Sequence, residues 1–326
     1  MNDLFEKCVL REIRRALPAF RVDGQHPTSL GADGTIPIRP DIAVLDDRHV
    51  VMDRYERNAV LQEFPLDGGA PRRITTSVGF DRQPVYSPDG RHILFSSNRS
   101  GNIDLWTVDL VTGALRQLTD DQAHDWDPAF SPDGEQILWS SNRGGNMEIW
   151  ISNRDGTGAR QVSRDGVDAE NPTMTPDGQW IVYASAGDES LGLWRVRPDG
   201  TDAEHIHQGT DLIPEVSPDG RYALFSTIRS LNFVIRVHDL VTGEETPFEI
   251  EINLTDRAQD VVYGRARWTP DGSGIVYIGQ GPGGDSGIFV QDFDPEGGDT
   301  SASRRSLAGF TDDFATEILG VSPDGT

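Results

Sequence analysis

A four-residue phrase, Ser/Thr-Pro-Asp-Gly, punctuates this chain of 326 residues, with its proline at positions 88, 132, 176, 218, 270 and 323. The intervals are 44, 44, 42, 52 and 53 residues. A strand-turn-strand phrase with a period in the forties marks a repeat architecture, and blades of a β-propeller have that period. Proline presets the backbone φ of a turn, aspartate bonds the backbone ahead of it, and glycine accepts positive φ. Each phrase is therefore a tight turn.

The residues after each turn read as strands. Ile93-Leu94-Phe95-Ser96 and Ile181-Val182-Tyr183-Ala184 are rich in strand formers. A polar loop follows, Ser97-Asn98-Arg99-Ser100-Gly101-Asn102 or Ser141-Asn142-Arg143-Gly144-Gly145-Asn146. A third strand then carries a tryptophan, Trp106, Trp150 or Trp194, each 18 residues past its repeat proline; Arg236 stands there in the next unit. A second turn (Val111-Thr112-Gly113, Val241-Thr242-Gly243) leads to a short fourth strand such as Leu115–Leu118. Each unit is thus a four-stranded antiparallel meander, one blade. A blade buries its faces only against its neighbours, so the tryptophans are expected to pack between blades.

Ser-Pro-Asp-Gly, then Ser-Asn-Arg-x-Gly-Asn, then Asp/Glu-Leu/Ile-Trp, recurring in that order, resembles the TolB-like propeller repeats often called PD40. The resemblance covers residues 46–326 and implies a six-bladed propeller. Such propellers occur in periplasmic TolB-like proteins, on bacterial Ser/Thr kinases and beside peptidase domains, so the fold leaves the partner open.

Alignment of the phrases gives the same expected count. Complete units run over about 80–120, 124–163, 168–207, 211–250 and 260–308. A composite closing unit joins three strands beginning near Asp46 to a first strand in the tail, around Glu317–Val321. Closure from both ends would leave no free sheet edge in the ring. The expected fold is all-β, a six-bladed propeller over 46–326 with a small α/β appendage over 1–45.

In that appendage Phe5, Val9, Ile13 and Leu17 fall on one helical stripe, Asn2 or Asp3 could cap it, and Pro18 ends it. Two short strands are expected around Phe20–Val22 and Ile36–Ile38. Met1-Asn2-Asp3-Leu4-Phe5-Glu6, Gln25 and Arg39-Pro40-Asp41-Ile42 resemble pieces of the McrC restriction nuclease family. That resemblance implies acidic, Mg²⁺-holding positions at Glu6 and Asp41, with a second motif near Asp53. Tyr55 stands where the family needs lysine, and no lysine follows Lys7. The segment is therefore read as an inactive remnant, with a helical cap of chance similarity as the alternative.

A net charge of −24 disfavours nucleic acid and anionic membrane as partners and favours basic ones or divalent cations. Cys8 is the only cysteine, so no disulfide forms within the chain. No apolar run is long enough to span a membrane. The first residues, interrupted by Glu6, Lys7, Arg11, Glu12, Arg14 and Arg15, do not read as a signal peptide. A cytoplasmic monomer is expected; a periplasmic location would require a different N-terminus.

The candidate binding residues cluster at one mouth of the expected channel. Asp81, Asp125 and Asp211 lie three residues before the first-strand prolines, and Asp168 and Glu170 flank the equivalent position in the third unit. Asn98, Arg99, Asn142, Arg143 and Arg229, with Arg54 and Arg57, are on loops opening at the same face. An acidic ring inside an Arg/Asn rim could hold a divalent cation or grip a peptide; alternatively, Asp before Pro fixes blade spacing. No other cofactor is expected. Gly279-Gln280-Gly281-Pro282-Gly283-Gly284 fits GxGxxG, but a strand follows it, so it reads as a hairpin loop. Gly284-Asp285-Ser286-Gly287 resembles a protease nucleophile phrase without its companions, and G-x-S-x-G does not occur. His205 and His207 share one strand face but lack the company of a metal site. The sequence supports a non-catalytic protein-binding scaffold. A sensor propeller for a small ligand or cation, and a nuclease-derived effector, are the alternatives.

Overall fold

The computed structural model describes residues 42–45, 49–53, 60–65, 72–76, 79–164, 166–187, 191–229, 232–252, 266–280, 286–309 and 320–321. The described chain begins with four strands of one sheet: β1 (Ile42–Leu45), β2 (His49–Asp53), β3 (Leu61–Pro65) and β4 (Arg72–Arg73). Five four-stranded blades follow. The first is β5 (Asp81–Tyr86), β6 (His92–Ser97), β7 (Asp104–Asp109) and β8 (Leu115–Gln117). The second is β9 (Asp125–Phe130), β10 (Gln136–Ser141), β11 (Glu148–Asn153) and β12 (Arg160–Gln161). The third is β13 (Ala169–Met174), β14 (Ile181–Ser185), β15 (Gly192–Val196) and β16 (Glu204–Gln208). The fourth is β17 (Asp211–Val216), β18 (Tyr222–Arg229), β19 (Asn232–Asp239) and β20 (Glu244–Ile252). The fifth is β21 (Arg267–Trp268), β22 (Gly274–Gln280), β23 (Ser286–Asp292) and β24 (Arg305–Gly309). Last comes β25 (Gly320–Val321).

Two expectations are corrected here. The propeller has five four-stranded blades, not six. The sheet made from both ends is five-stranded, in the order β25-β1-β2-β3-β4. The innermost place beside β2, assigned to the tail, is taken by β1, which pairs antiparallel with β2. β1 was counted with the appendage because Ile42–Leu45 precedes the repeat phrase. The tail strand instead adds outside β1, and it does so parallel, Val44 opposite Gly320 and Leu45 opposite Val321. Nor is an α/β appendage part of the described fold: among the described residues the only helical element is the 3-10 turn Ser301–Ser303. The helix over Leu4–Leu17 and the strands around Phe20 and Ile36 lie outside those residues.

The core lies between blades, because each blade has two faces to bury and only its neighbours to bury them against. Leu61 of the end sheet packs with Tyr86, Ile93, Phe95 and Val108 of the first blade. Leu94 and Leu105 of the first blade meet Ile137 and Trp139 of the second. Leu138, Ile149 and Val162 of the second meet Ile181 and Tyr183 of the third. Trp106, Trp150 and Trp194 stay partly buried and pack against these clusters, as their spacing predicts.

The repeated turn explains its own sequence. Ser87 Oγ donates to Asp89 Oδ1 at 2.5 Å and accepts from His92 N–H, while Arg91 N–H donates to Asp89 and Gly90 takes φ +65°. The same bonds recur at Ser131–Gln136 and Ser217–Tyr222. Successive turns also stack. A Cβ on Gly134 would press on Pro88 and one on Gly220 on Pro176, both at 3.3 Å, while one on Gly272 would just touch Pro218. The glycine that allows the turn thus also admits the neighbouring blade. Ser131 is buried, so Ser131→Ala strands the Gln136 N–H and should cost about 1–2 kcal/mol, read by chemical denaturation.

Four first strands, β5, β9, β13 and β17, carry a bulge at a proline. Arg82 faces Ser96 and Val85 faces Leu94, so Gln83 and Pro84 oppose Phe95 alone. Proline has no N–H for the ladder, and the bulge takes it out of register. The residue before each of these prolines has positive φ: Gln83 +54°, Asp127 +51°, Asn171 +58° and Ile213 +56°. The buried side chains turned inward there tie blades together. Asp127 N–H donates to Gln83 Oε1 at 2.8 Å, and Asn171 N–H to Ser140 Oγ at 3.1 Å.

Candidate functional site

First strands of successive blades lie against one another around the axis. Their N-terminal ends, with the loops between second and third strands, form one face. Asp81 and Asp125 begin β5 and β9 with no exposed surface. Arg99 Nη2 donates to both Asp81 oxygens at 2.6 Å, and Ser97 Oγ donates to Asp81 at 2.6 Å. Asn98 Oδ1 accepts the Phe80 N–H at 2.7 Å. The second blade repeats the clamp: Arg143 Nη2 reaches Asp125 at 3.0 and 2.8 Å, and Asn142 accepts the His124 N–H at 2.8 Å. Arg99 lies over the rings of Phe95 and Trp106, and Arg143 over those of Trp139 and Trp150. The Ser-Asn-Arg phrase therefore fastens the start of its own blade's first strand. The rim arginines and the acidic ring, read separately from sequence, are two halves of one ion pair. Burial pushes the Asp125 carboxyl above its ordinary range even though Arg143 pulls it down.

The other candidates are placed differently. The third blade has Ala169 at the clamp position and glycine at 187, so neither half is present. Asp168 instead accepts the Met147 N–H at 3.1 Å, tying the third blade to the second, and Glu170 is buried in β13. Asp211 is buried beside His207 of the third blade, their closest atoms 2.5 Å apart. Arg229 turns away to Glu249 and Glu251. His205 and His207 do not act together: a register shift between Leu193 and Trp194 separates them, and His205 stacks on Trp194 with ring centroids 4.9 Å apart. Glu6, Asp41, Arg54 and Arg57 lie outside the described residues, and Asp53 is described only as backbone in β2. Among the described residues no group of three or more His, Cys, Asp or Glu is arranged to hold a metal ion. The GxGxxG segment joins β22 to β23, whose ends pair Gln280 with Ser286, so it is a hairpin connection.

A cluster not singled out from the sequence sits at the same face. The Arg82 guanidinium lies 5.7 Å from the Phe80 ring centroid and 5.6 Å from that of Trp126, across the seam between the first and second blades. All three side chains are half-buried. Their signal was present, an Arg and a Trp each one residue past the clamp aspartate, but only the packing of the first blade against the second brings them together. A hydroxyl also recurs in register after the fourth strands. Thr75, Thr119 and Ser163 accept the N–H of Leu61, Leu105 and Ile149, each 14 residues earlier, and so hold the exit of every fourth strand concerned.

Similarity to known proteins follows the geometry. The TolB protein of Bordetella pertussis is 46% identical over 43 residues, which is 13% of this chain and 10% of that protein. An uncharacterized protein of Agrobacterium fabrum is 40% identical over 48 residues, 15% of this chain and 16% of that one. The chain thus matches only a small part of these curated relatives, about one blade. Among solved structures, TolB from Acinetobacter baumannii superposes with a TM-score of 0.63 at 21% identity, covering 75% of this chain and 61% of that one. An oligogalacturonate lyase solved with manganese gives 0.57 at 13% identity, covering 83% and 76%. At these identities both show the fold alone. No helix among the described residues is long and apolar enough to cross a membrane. The comparisons lend the McrC resemblance no support, and the family match begins inside that segment. The sequence model of the TolB beta propeller domain, PD40, matches residues 14–248, more than two thirds of the chain, and the protein belongs to that family.

Proposed function

We propose that this propeller is a non-catalytic protein-interaction scaffold that receives a protein or peptide at the channel-mouth face. The observation that carries the reading is the half-exposed Phe80–Arg82–Trp126 cluster on strands held rigid by the two Asp–Arg clamps. Arginine and tryptophan in a fixed, partly desolvated setting are the residues that dominate binding energy at protein interfaces. A preordered surface loses little entropy on association. The overall charge of −24 favours a partner segment with basic residues around its anchor and steers its approach.

Affinity capture with the wild-type chain, Trp126→Ala and Arg82→Glu tests this. The half-buried sites should tolerate both changes in folding, and each should reduce partner recovery about tenfold or more. Equal recovery by wild type and both variants removes the channel-mouth assignment.

A further inference from the structure

The three buried aspartates that open first strands do not have the same counter-charge. Asp81 and Asp125 are neutralised by Arg99 and Arg143, each 18 residues later in the same blade. The residue 18 positions after Asp211 is Arg229, but it does not turn back. β18 and β19 are eight residues each and pair through Arg229↔Asn232, so the arginine remains a strand residue and bonds Glu249 and Glu251 of β20. The cation beside Asp211 comes from the preceding blade instead. His207 Nδ1 is 2.5 Å from Asp211 Oδ2, and His207 Nε2 is 2.7 Å from Glu245 Oε1.

That geometry demands a proton. Ionised carboxylates only accept hydrogen bonds, and neutral imidazole has one N–H. Two short contacts from one ring to two carboxylates require either imidazolium or a protonated acid. The bound proton therefore belongs to the trio rather than to one member. An arginine clamp holds its proton at every physiological pH, whereas this one can lose it.

We infer that His207, Asp211 and Glu245 form a proton-dependent latch across the seam between the third and fourth blades, closed while the trio holds its proton and loosened when the proton leaves.

Every charged neighbour fits the assignment. From β19, Arg236 pairs with Glu245 and offsets one carboxylate, and the His238 ring stands edge-on to that of His207 with centroids 5.4 Å apart. From β18, the Phe225 ring lies 5.1 Å away and carries no charge. From the connection, Thr210 bonds Thr227, and from β20 Glu249 is drawn off by Arg229. On β16 itself, Glu204 pairs with Arg195, and His205 lies on Trp194. Burial disfavours a charged His207, but its two carboxylate partners outweigh this and raise its pKa above 6.5. Burial likewise raises the Asp211 carboxyl, against the pull of His207. Both groups are raised on folding, so both contribute stability that is present at low pH and lost as pH rises through the folded value. His238 has the opposite sign. Burial, then the charge on His207, lowers it, so its effect falls below 6.5. The window above 6.5 isolates the latch.

Two measurements on the full chain test this. In the first, the melting temperature of the wild type should fall by about 2–4 °C between roughly pH 6.5 and pH 9 for each factor-of-five loss in folding equilibrium. His207→Gln, which cannot carry the charge, should show no such fall. In the second, NMR of the His207 ring in the wild type should show a charged or proton-sharing imidazole at pH 7, titrating above 6.5. The latch is overturned by an equal alkaline slope in wild type and His207→Gln, or by His207 ring signals that do not change between roughly pH 6.5 and pH 9. The ring titration needs no variant, so it decides the matter even where His207→Gln fails to fold. Neither result bears on partner capture through Trp126.

Discussion

Replacing Asp125 by alanine is expected to destabilise the propeller by about 3–5 kcal/mol. The carboxylate is fully buried, accepts from Arg143 at 3.0 and 2.8 Å, and accepts the Trp139 indole N–H at 3.0 Å. Its removal leaves a guanidinium that is 16% exposed between the Trp139 and Trp150 rings with the half-exposed Asp121 carboxylate, 3.0 Å away, as its remaining acidic partner. The pair itself need not add net stability, since burial still penalises the Asp125 charge. Breaking it from one side is what costs. A denaturant titration measures the loss. A double-mutant cycle with Arg143→Met should recover part of it, because the second change removes the mostly buried charge that has lost its buried partner. This experiment also separates the two readings of these residues. A structural clamp predicts lost stability. A binding rim predicts a stable Asp125→Ala protein with lost partner capture, and that outcome would refute the clamp.

Gly192→Ala is expected to cost about 3 kcal/mol or more. Gly192 opens β15 where the first two blades have Asp104 and Glu148, and its φ of +135° is closed to residues with a Cβ. A Cβ there would overlap the carbonyl oxygen of His207 and stand 3.0 Å from Gln208 Cα, so backbone would have to move. Gly90→Ala is the comparison. It also has positive φ, +65°, but its added Cβ meets nothing within 4 Å. It should cost about 1–2 kcal/mol, the conformational penalty alone. Equal losses at the two positions would show that close approach at Gly192 contributes nothing. The seam near Gly192 also supports His207, so the same variant should flatten the loss of stability between roughly pH 6.5 and pH 9 that the latch gives the wild type.

Turn chemistry was legible residue by residue. Pro-Asp-Gly places each β-turn, and the strand formers beside it place β6, β10 and β14 to within a residue or two. Inter-blade packing of Trp106, Trp150 and Trp194 followed from spacing. Less was legible where strands meet from distant parts of the chain. Ile42–Leu45 carries no repeat phrase, so its place beside β2 was given to the tail. The pairing of Asp81 with Arg99 is legible in principle, because both recur with an offset of 18, but nothing in the spacing says that the acidic and basic sets face each other. The Phe80–Arg82–Trp126 cluster lies across a seam between two blades, 44 residues apart in the repeat, and no local pattern announces it.

By itself the sequence determined the repeat unit, its four strands and its turns, because those depend on contacts between residues near one another in the chain. The tertiary structure alone decided how the ring is completed, that the acidic and basic candidates neutralise each other, and that Asp211 takes a histidine from the preceding blade. Those outcomes depend on which side chains meet across seams, where burial makes an unpaired charge cost several kcal/mol and so forces a partner from whichever strand supplies one.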